Sequence, residues 1–261
     1  MASHVCSAQE TGCKLWQQGI DGRPKPRWRN LLYLLLFILS TVFWPLASDV
    51  AGGASRINEI SGTNELFGWH EQAAPADNPY RLAFDKLWLP VLQKERAAPS
   101  FSHNGKSFGR IDATSWRNLI KYSQNHTESE LLQMVNGFFN QWPAQNDAKS
   151  WDTNEHWATP GEFLHLRRGD CEDYAITKYF ALRFLGMEAS RLRIVIVRQK
   201  GEDGKFLRQL HAVLAVQRGP NWFILDNNAV PRDNVFPQTM YRGRFVPLYS
   251  INEEGAWIYS L

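Results

Sequence analysis

Near Gly186 the hydrophobic period changes from helical to alternating, which limits the chain to a fold of helices followed by strands. Upstream, Leu82, Phe84, Leu87, Trp88 and Leu89 predict a helix over residues 79–90. Trp116, Leu119 and Ile120 predict a second, starting at Thr114 or Ser115 and ending at Tyr122. Thr127 and Glu130 have the spacing of a capping box, in which each side chain satisfies the other residue's free N–H. That box opens a third helix, with Leu131, Leu132, Val135, Phe138 and Phe139 as its core stripe. Residues 93–113 and 143–160 read as loop, and residues 172–185 as a fourth helix stopped by Gly186. Downstream, residues 192–198, 207–217 and 222–226 are strand candidates. Asp203-Gly204 is a hairpin signal between the first two, and Gly219-Pro220 turns the second into the third. Helices first and an antiparallel meander after them predict an α+β domain over residues 79–261.

Composition narrows the function. A chain of 261 residues with 44% hydrophobic content is globular, which excludes a disordered tail, a collagen-like fibre and a coiled coil. The net charge of +3 is confined to residues 1–30, and the remainder is neutral. A neutral body lacks the basic footprint that nucleic acid requires. No glycine-rich phosphate loop and no internal repeat is present in the sequence.

Residues 31–47 carry no charge, and Arg23, Lys25, Arg27 and Arg29 precede them. A basic stretch followed by an apolar one is the pattern of a signal peptide or a short membrane anchor. The expectation is a basic cytoplasmic segment plus signal peptide or anchor over residues 1–51, with the rest of the chain across the membrane. Residues 52–78, rich in Gly, Ala, Ser, Asn and Pro, read as a leader or flexible arm. Cys6 and Cys13 then belong to the first segment, so Cys171 is the one exported thiol.

Cys171 stands in Gly169-Asp170-Cys171-Glu172-Asp173-Tyr174, where loop passes into helix. A thiol in the first helical turn faces free N–H groups and the positive end of the helix dipole, and both favour thiolate. His211 lies within the second strand, and alternation puts it on one face with Val213. If that face covers the helix N-terminus, the imidazole reaches the thiol. Asp226 ends the third strand just before Asn227 and Asn228 and is placed to orient His211. Cys171, His211 and Asp226 thus supply nucleophile, base and orienter for acyl transfer. Each alone has a plainer reading: buried cysteine, core histidine, turn aspartate.

Asp170, Glu172 and Asp173 crowd three carboxylates around Cys171, which opposes its ionisation. Helix capping accounts for one or two of them. Three acids within four residues also suit a hard cation with oxygen ligands, and Ca²⁺ is the abundant one outside the cytoplasm.

Arg168-Gly169-Asp170-Cys171-Glu172-Asp173-Tyr174-Ala175-Ile176 resembles the signature of the bacterial transglutaminase-like cysteine peptidases of the LapG type. Val135-Asn136-Gly137-Phe138-Phe139-Asn140, Thr159-Pro160-Gly161-Glu162-Phe163-Leu164, His211 and Leu225-Asp226-Asn227 fit the same family. The resemblance covers roughly residues 80–261. It implies a papain-like, transglutaminase-type fold, with N-terminal helices packed on an antiparallel sheet, and a periplasmic cysteine endopeptidase that uses Cys171, His211 and Asp226. It also implies Ca²⁺ bound through Asp170 and Glu172, with Asp173 the least certain ligand. The implied substrate is the N-terminal region of a large surface adhesin, cut at a di-alanine site to release biofilm cells. The implied sequestering partner is an inner-membrane receptor for cyclic di-GMP. The same triad also fits a transglutaminase or amidase, and a non-catalytic calcium-binding module is the alternative outside enzymes.

Overall fold

Among the described residues, eight antiparallel strands form one sheet, in the order β1-β2-β8-β7-β3-β4-β5-β6. The computed structural model describes residues 65–106 and 110–261. The predicted segment over residues 1–51 lies outside them. The strands are β1 Glu65–Leu66, β2 Trp69–Ala73, β3 Leu192–Lys200, β4 Phe206–Arg218, β5 Asn221–Leu225, β6 Phe236–Pro237, β7 Phe245–Asn252 and β8 Gly255–Ser260. The helices are α1 Pro79–Ala83, α2 Leu89–Ala97, α3 Arg110–Ser123, α4 Glu128–Asn140, α5 Asp147–Ser150, α6 Pro160–Leu166 and α7 Cys171–Phe184. Among the described residues no helix is long and apolar enough to cross a membrane.

The α+β expectation holds, and the predicted strands agree with β3, β4 and β5 to within two residues. The helix expected to stop at Pro90 continues instead as α2. A single π-helical stretch, Phe84–Trp88, lies just ahead of the proline. Pro90 falls within the first two positions of α2, where a missing N–H costs nothing. Two short helices, α5 and α6, occupy the predicted 143–160 loop and its end. α6 opens with its own capping box, Thr159 and Glu162.

The predicted arm over 52–78 is corrected where it is described, because β1 and β2 extend the sheet at β8. A buried ion pair ties β2 to the sheet centre: Arg193 Nε lies 3.1 Å from Glu71 Oε1. The hydroxyls of Tyr259 and Ser250 also donate to Glu71. Arg193 stacks over Trp257, its guanidinium carbon 3.7 Å from the ring centroid. Sequence polarity alone hides this strand, because its acid is spent on a partner more than a hundred residues away.

Two cores sandwich the sheet. Ile194, Ile196, Ala212, Leu214 and Val216 face the helices, where they meet Tyr174, Ala175, Ile176 and Tyr179 of α7. Val195, Val197, Val213 and Ala215 face the other way, against Phe67, Tyr241 and Phe245. Burial on both faces explains why β3 and the second half of β4 read as continuous apolar runs. α7 is buried nearly all round, so it lacks the polar stripe of a surface helix. Trp88 is fully buried, and its indole N–H donates to the Asn252 carbonyl at 2.9 Å, joining the helical layer to the turn between β7 and β8.

Candidate active site

Cys171 is the first residue of α7, as the loop-to-helix reading predicts. Asp170 sits at the N-cap position, yet its side chain makes no capping hydrogen bond. The Cys171 thiol is half-buried and meets two partners. It donates to Glu172 Oε2 at 3.1 Å, and it receives the backbone N–H of Ala212. Burial pushes the thiol well above its ordinary range, Glu172 adds to the rise, and the Ala212 N–H works against it.

His211 and Val213 share a face of β4, as alternation requires. That face is not the one covered by α7. The His211 ring lies 6.0 Å from Phe245, on the second core, whereas Ala212 faces the helix. The Cys171 thiol meets this strand through the backbone N–H of Ala212, the residue after His211. The edge is open there because β5 pairs with β4 only from Leu214 to Arg218.

Asp226 follows the last residue of β5, and its Oδ1 lies 2.9 Å from His211 Nε2. Both side chains are buried. Burial alone would raise the Asp226 carboxyl, but His211, the Asn228 N–H and the charge of Lys178 bring it below its usual range. Asn227 and Asn228 do not replace Asp226; the Asn228 amide donates to Asp226 Oδ1 at 2.9 Å. Asn140, on α4, fixes the turn from behind: its Nδ2 donates to the carbonyls of Asp226 at 2.8 Å and Arg232 at 2.7 Å. Asn136 holds the same loop through the Asn234 carbonyl. Gly137 lets the loop approach, since a Cβ there would lie 2.9 Å from Asp233 Cβ. The Val135–Asn140 motif therefore positions the Asp226 loop.

The acids separate into two groups. Asp170 and Glu172 come together with Asp147 of α5, one carboxylate oxygen of each lying within 4.8 Å of the others. Buried Oδ1 atoms of Asp147 and Asp170 have no hydrogen-bond partner. Asp147 lies in a segment that reads as loop, and only its place after the capping residue Asn146 marks it locally. Asp173 is not in this group. Its Oδ1 accepts the Ala158 N–H at 2.9 Å, tying the start of α6 to α7. Burial first, then Glu172, Asp173 and Asp147, push the Asp170 carboxyl up to about 9. Burial likewise raises Asp147 and Asp173. Such a group wants positive charge, and unpartnered buried oxygens of Asp147 and Asp170 beside a third carboxylate fit a hard cation.

The model of the bacterial transglutaminase-like cysteine proteinases (BTLCP) matches residues 112–260. The chain belongs to that family. LapG from Legionella pneumophila, in its EGTA-treated structure, is 31% identical, covering 66% of this chain and 86% of that one, with a TM-score of 0.50. The calcium-bound structure of the same LapG is 30% identical over 64% of this chain and 87% of that one, with a TM-score of 0.49. No curated protein matches. The family and the 31% identical LapG make the chain a LapG-type cysteine peptidase with a papain-like fold.

Proposed function

We propose that this chain is a calcium-dependent cysteine endopeptidase of the periplasm and that Cys171, His211 and Asp226 are its catalytic residues. The observation that carries the triad is the buried His211–Asp226 pair at the strand edge where Ala212 meets the Cys171 thiol. Asp226 takes Nε2 of the imidazole, which leaves Nδ1 for proton exchange with the thiol. The Cys171 thiolate attacks the scissile carbonyl while the thiol proton resides on His211. The tetrahedral intermediate collapses as His211 returns that proton to the departing amine. Water then hydrolyses the thioester with His211 as base. The Cys171 N–H, free in the first turn of α7, is the candidate oxyanion donor.

Asp147, Asp170 and Glu172 would hold the Ca²⁺. Bound there, the ion supplies positive charge to three carboxylates that otherwise oppose thiolate formation. Glu172 is both a member of this group and the acceptor of the Cys171 proton, so the cation site and the nucleophile share a residue. A 30% identical LapG described as calcium-bound supports the choice of ion. By the same likeness, the substrate is the N-terminal region of a large surface adhesin, cut at a di-alanine site to release biofilm cells. An inner-membrane cyclic di-GMP receptor is the sequestering partner.

The test is cleavage of the exported adhesin fragment by purified protein, with Ca²⁺ and with chelator, read by mass spectrometry. One cut between alanines that needs both Cys171 and Ca²⁺ is expected. Cross-linked product in place of a cut chain would overturn the peptidase reading.

A further inference from the structure

Eight large apolar side chains stand exposed among the described residues, and five of them gather at one end of the sheet: Phe206, Leu207, Leu210, Met240 and Leu261. The register brings them together. β4 begins at Phe206, opposite Lys200 near the end of β3, and β7 begins opposite Gln199. β8 ends beside the start of β7, just before Leu261. Met240 lies in the short turn Gln238–Tyr241 that leads into β7. Residues 206–210 are exposed one after another, so both faces of this stretch of β4 are bare and the β3–β4 hairpin projects from the body. Single exposed apolar residues are ordinary, whereas a gathering of them marks an interaction surface.

The same end is basic. Arg198, Lys200, Lys205, Arg208, Arg242 and Arg244 stand there against three acidic side chains, Glu65, Glu202 and Asp203. The Lys200 N–H donates to the Arg244 carbonyl at 2.9 Å, which joins the hairpin to the start of β7. Lys205 lies 3.8 Å from Asp203, and Arg242 lies 3.6 Å from Glu65. Arg198, Lys200, Arg208 and Arg244 have no ion pair among the described residues. Arg198 and Lys200 hold their charges 5.6 and 5.4 Å from the Phe206 ring, so cation and apolar tip sit at one level. The chain as a whole is neutral after residue 30, and this excess is therefore local. The polypeptide also enters the described fold here, since Glu65 of β1 meets Arg242 and the Phe67 N–H donates to Gln238.

Projecting apolar points set among cations match the boundary of a bilayer, where hydrocarbon takes the former and lipid phosphates take the latter. We propose that this end of the sheet docks on a bilayer rich in anionic phospholipid. Phe206, Leu207 and Met240 enter the boundary between headgroups and acyl chains, and the four unpaired cations meet lipid phosphates. The proposal goes beyond the peptidase reading and does not depend on it. It adds a position for the triad: His211 lies five residues along β4 from Phe206, about 17 Å, so docking holds the site close to the bilayer surface.

The experiment places the photoreactive residue p-benzoylphenylalanine in the full chain, at Leu207, Met240, Leu82 or Tyr122, one site at a time. All four side chains are exposed, but Leu82 and Tyr122 stand on helices α1 and α3. Each protein is irradiated in chelator with vesicles of phosphatidylglycerol and phosphatidylethanolamine, and lipid adducts are read by mass spectrometry. Leu207 and Met240 should give about tenfold more adduct than Leu82 and Tyr122. A chain held only through its N-terminal segment would label all four sites alike, and that result overturns the proposal, as does the absence of adducts. With phosphatidylcholine vesicles, or in about 0.5 M NaCl, adducts at Leu207 should fall about tenfold, because the cations lose their lipid partners or are screened. Undiminished adducts under both conditions would overturn it too. Lys200→Glu with Arg208→Glu should bring the same fall on phosphatidylglycerol. The lipid comparison keeps both basic residues, so it decides even if that variant does not fold. Cross-links to a second copy of the chain in place of lipid would assign the face to a dimer and overturn the proposal as well. None of these readouts uses Cys171, so failure of the peptidase reading would leave them unchanged.

Discussion

Glu172 Oε2 accepts the proton of the Cys171 thiol at 3.1 Å, so the residue after the proposed nucleophile opposes its ionisation. The same carboxylate belongs to the acid group with Asp147 and Asp170. A cation drawing on Glu172 removes an acceptor and a negative charge from the sulfur together. Chelator should therefore slow alkylation of Cys171 by iodoacetamide at pH 7, and Ca²⁺ should restore it. Glu172→Gln should weaken the dependence on Ca²⁺, because the neutral amide lacks the charge that raises the thiol. Alkylation rates against free Ca²⁺ check this. Equal rates with and without the ion in the wild type would sink the coupling.

Cys171→Ala should abolish turnover in a folded protein, with a loss of about 10³-fold or more. His211→Ala should be nearly as damaging. Asp226→Asn keeps the turn, since Asn140 and the Asn228 amide still hold that segment, but it changes the partner of Nε2. Its loss should lie between those two variants and the wild type. Peptide kinetics with a melting curve for each variant test the order. Wild-type rates in Asp226→Asn would reduce Asp226 to a turn residue.

Much of this site is legible in the sequence, for local reasons. Cys171 can be placed because helix starts carry their own signals, and His211 and Asp226 because each lies in or at the end of an alternating strand. What sequence does not carry is which element covers which face. The face shared by His211 and Val213 looks outward to Phe245, and the strand meets the thiol through the Ala212 N–H at an edge that β5 leaves open. Asp147 is hidden for the opposite reason. Its partners lie more than twenty residues away in the chain, and long-range ties such as the parallel bridge from Ala144 to Gly169 and the Tyr174 hydroxyl on the Trp142 carbonyl bring α5 to the start of α7. The strand at Trp69–Ala73 escapes because its charge is neutralised by Arg193 rather than by water.

Lys178 stands two turns along α7 from Cys171, fully buried, and its Nζ has no hydrogen-bond partner. It lies 5.6 Å over the Tyr174 ring. Burial lowers its ammonium to about 7, and the charge of Asp226 resists that fall. The unfolded lysine titrates near 10.4, so between about pH 7 and 10 the unfolded chain holds one more proton. Stability should rise with pH across that window, by up to about 1.4 kcal/mol per unit from this group. Lys178→Met should flatten that rise and match or exceed the wild type at pH 6. Urea melts at intervals from pH 6 to 10 measure the difference. Parallel curves for the two proteins would show that Lys178 keeps its charge throughout.

Asp147 and Asp173 separate a metal site from a structural tie. Both are buried beside the start of α7, and both carry raised carboxyl pKa values. Asp147 offers its unpartnered Oδ1 to the group with Asp170 and Glu172, whereas Asp173 Oδ1 holds the Ala158 amide. Without a cation the raised acids bind protons in the folded chain at pH values where the unfolded chain has released them. The contribution of these acids to stability in chelator should therefore fall as pH rises from about 5 towards 9, against the rise that Lys178 supplies above pH 7, and saturating Ca²⁺ should remove that fall. Ca²⁺ should also raise the melting temperature, as a ligand of the native state does. Asp147→Ala should lose the calcium-induced rise while melting in chelator no lower than the wild type, since it relieves repulsion. Asp173→Ala should melt lower with and without Ca²⁺ and keep most of the rise, because it breaks the tie between α6 and α7. Melting curves of both variants, each with chelator and with Ca²⁺, decide the donor set. A full calcium shift in Asp147→Ala, with none in Asp173→Ala, would exchange their roles and return the third ligand to the helix itself.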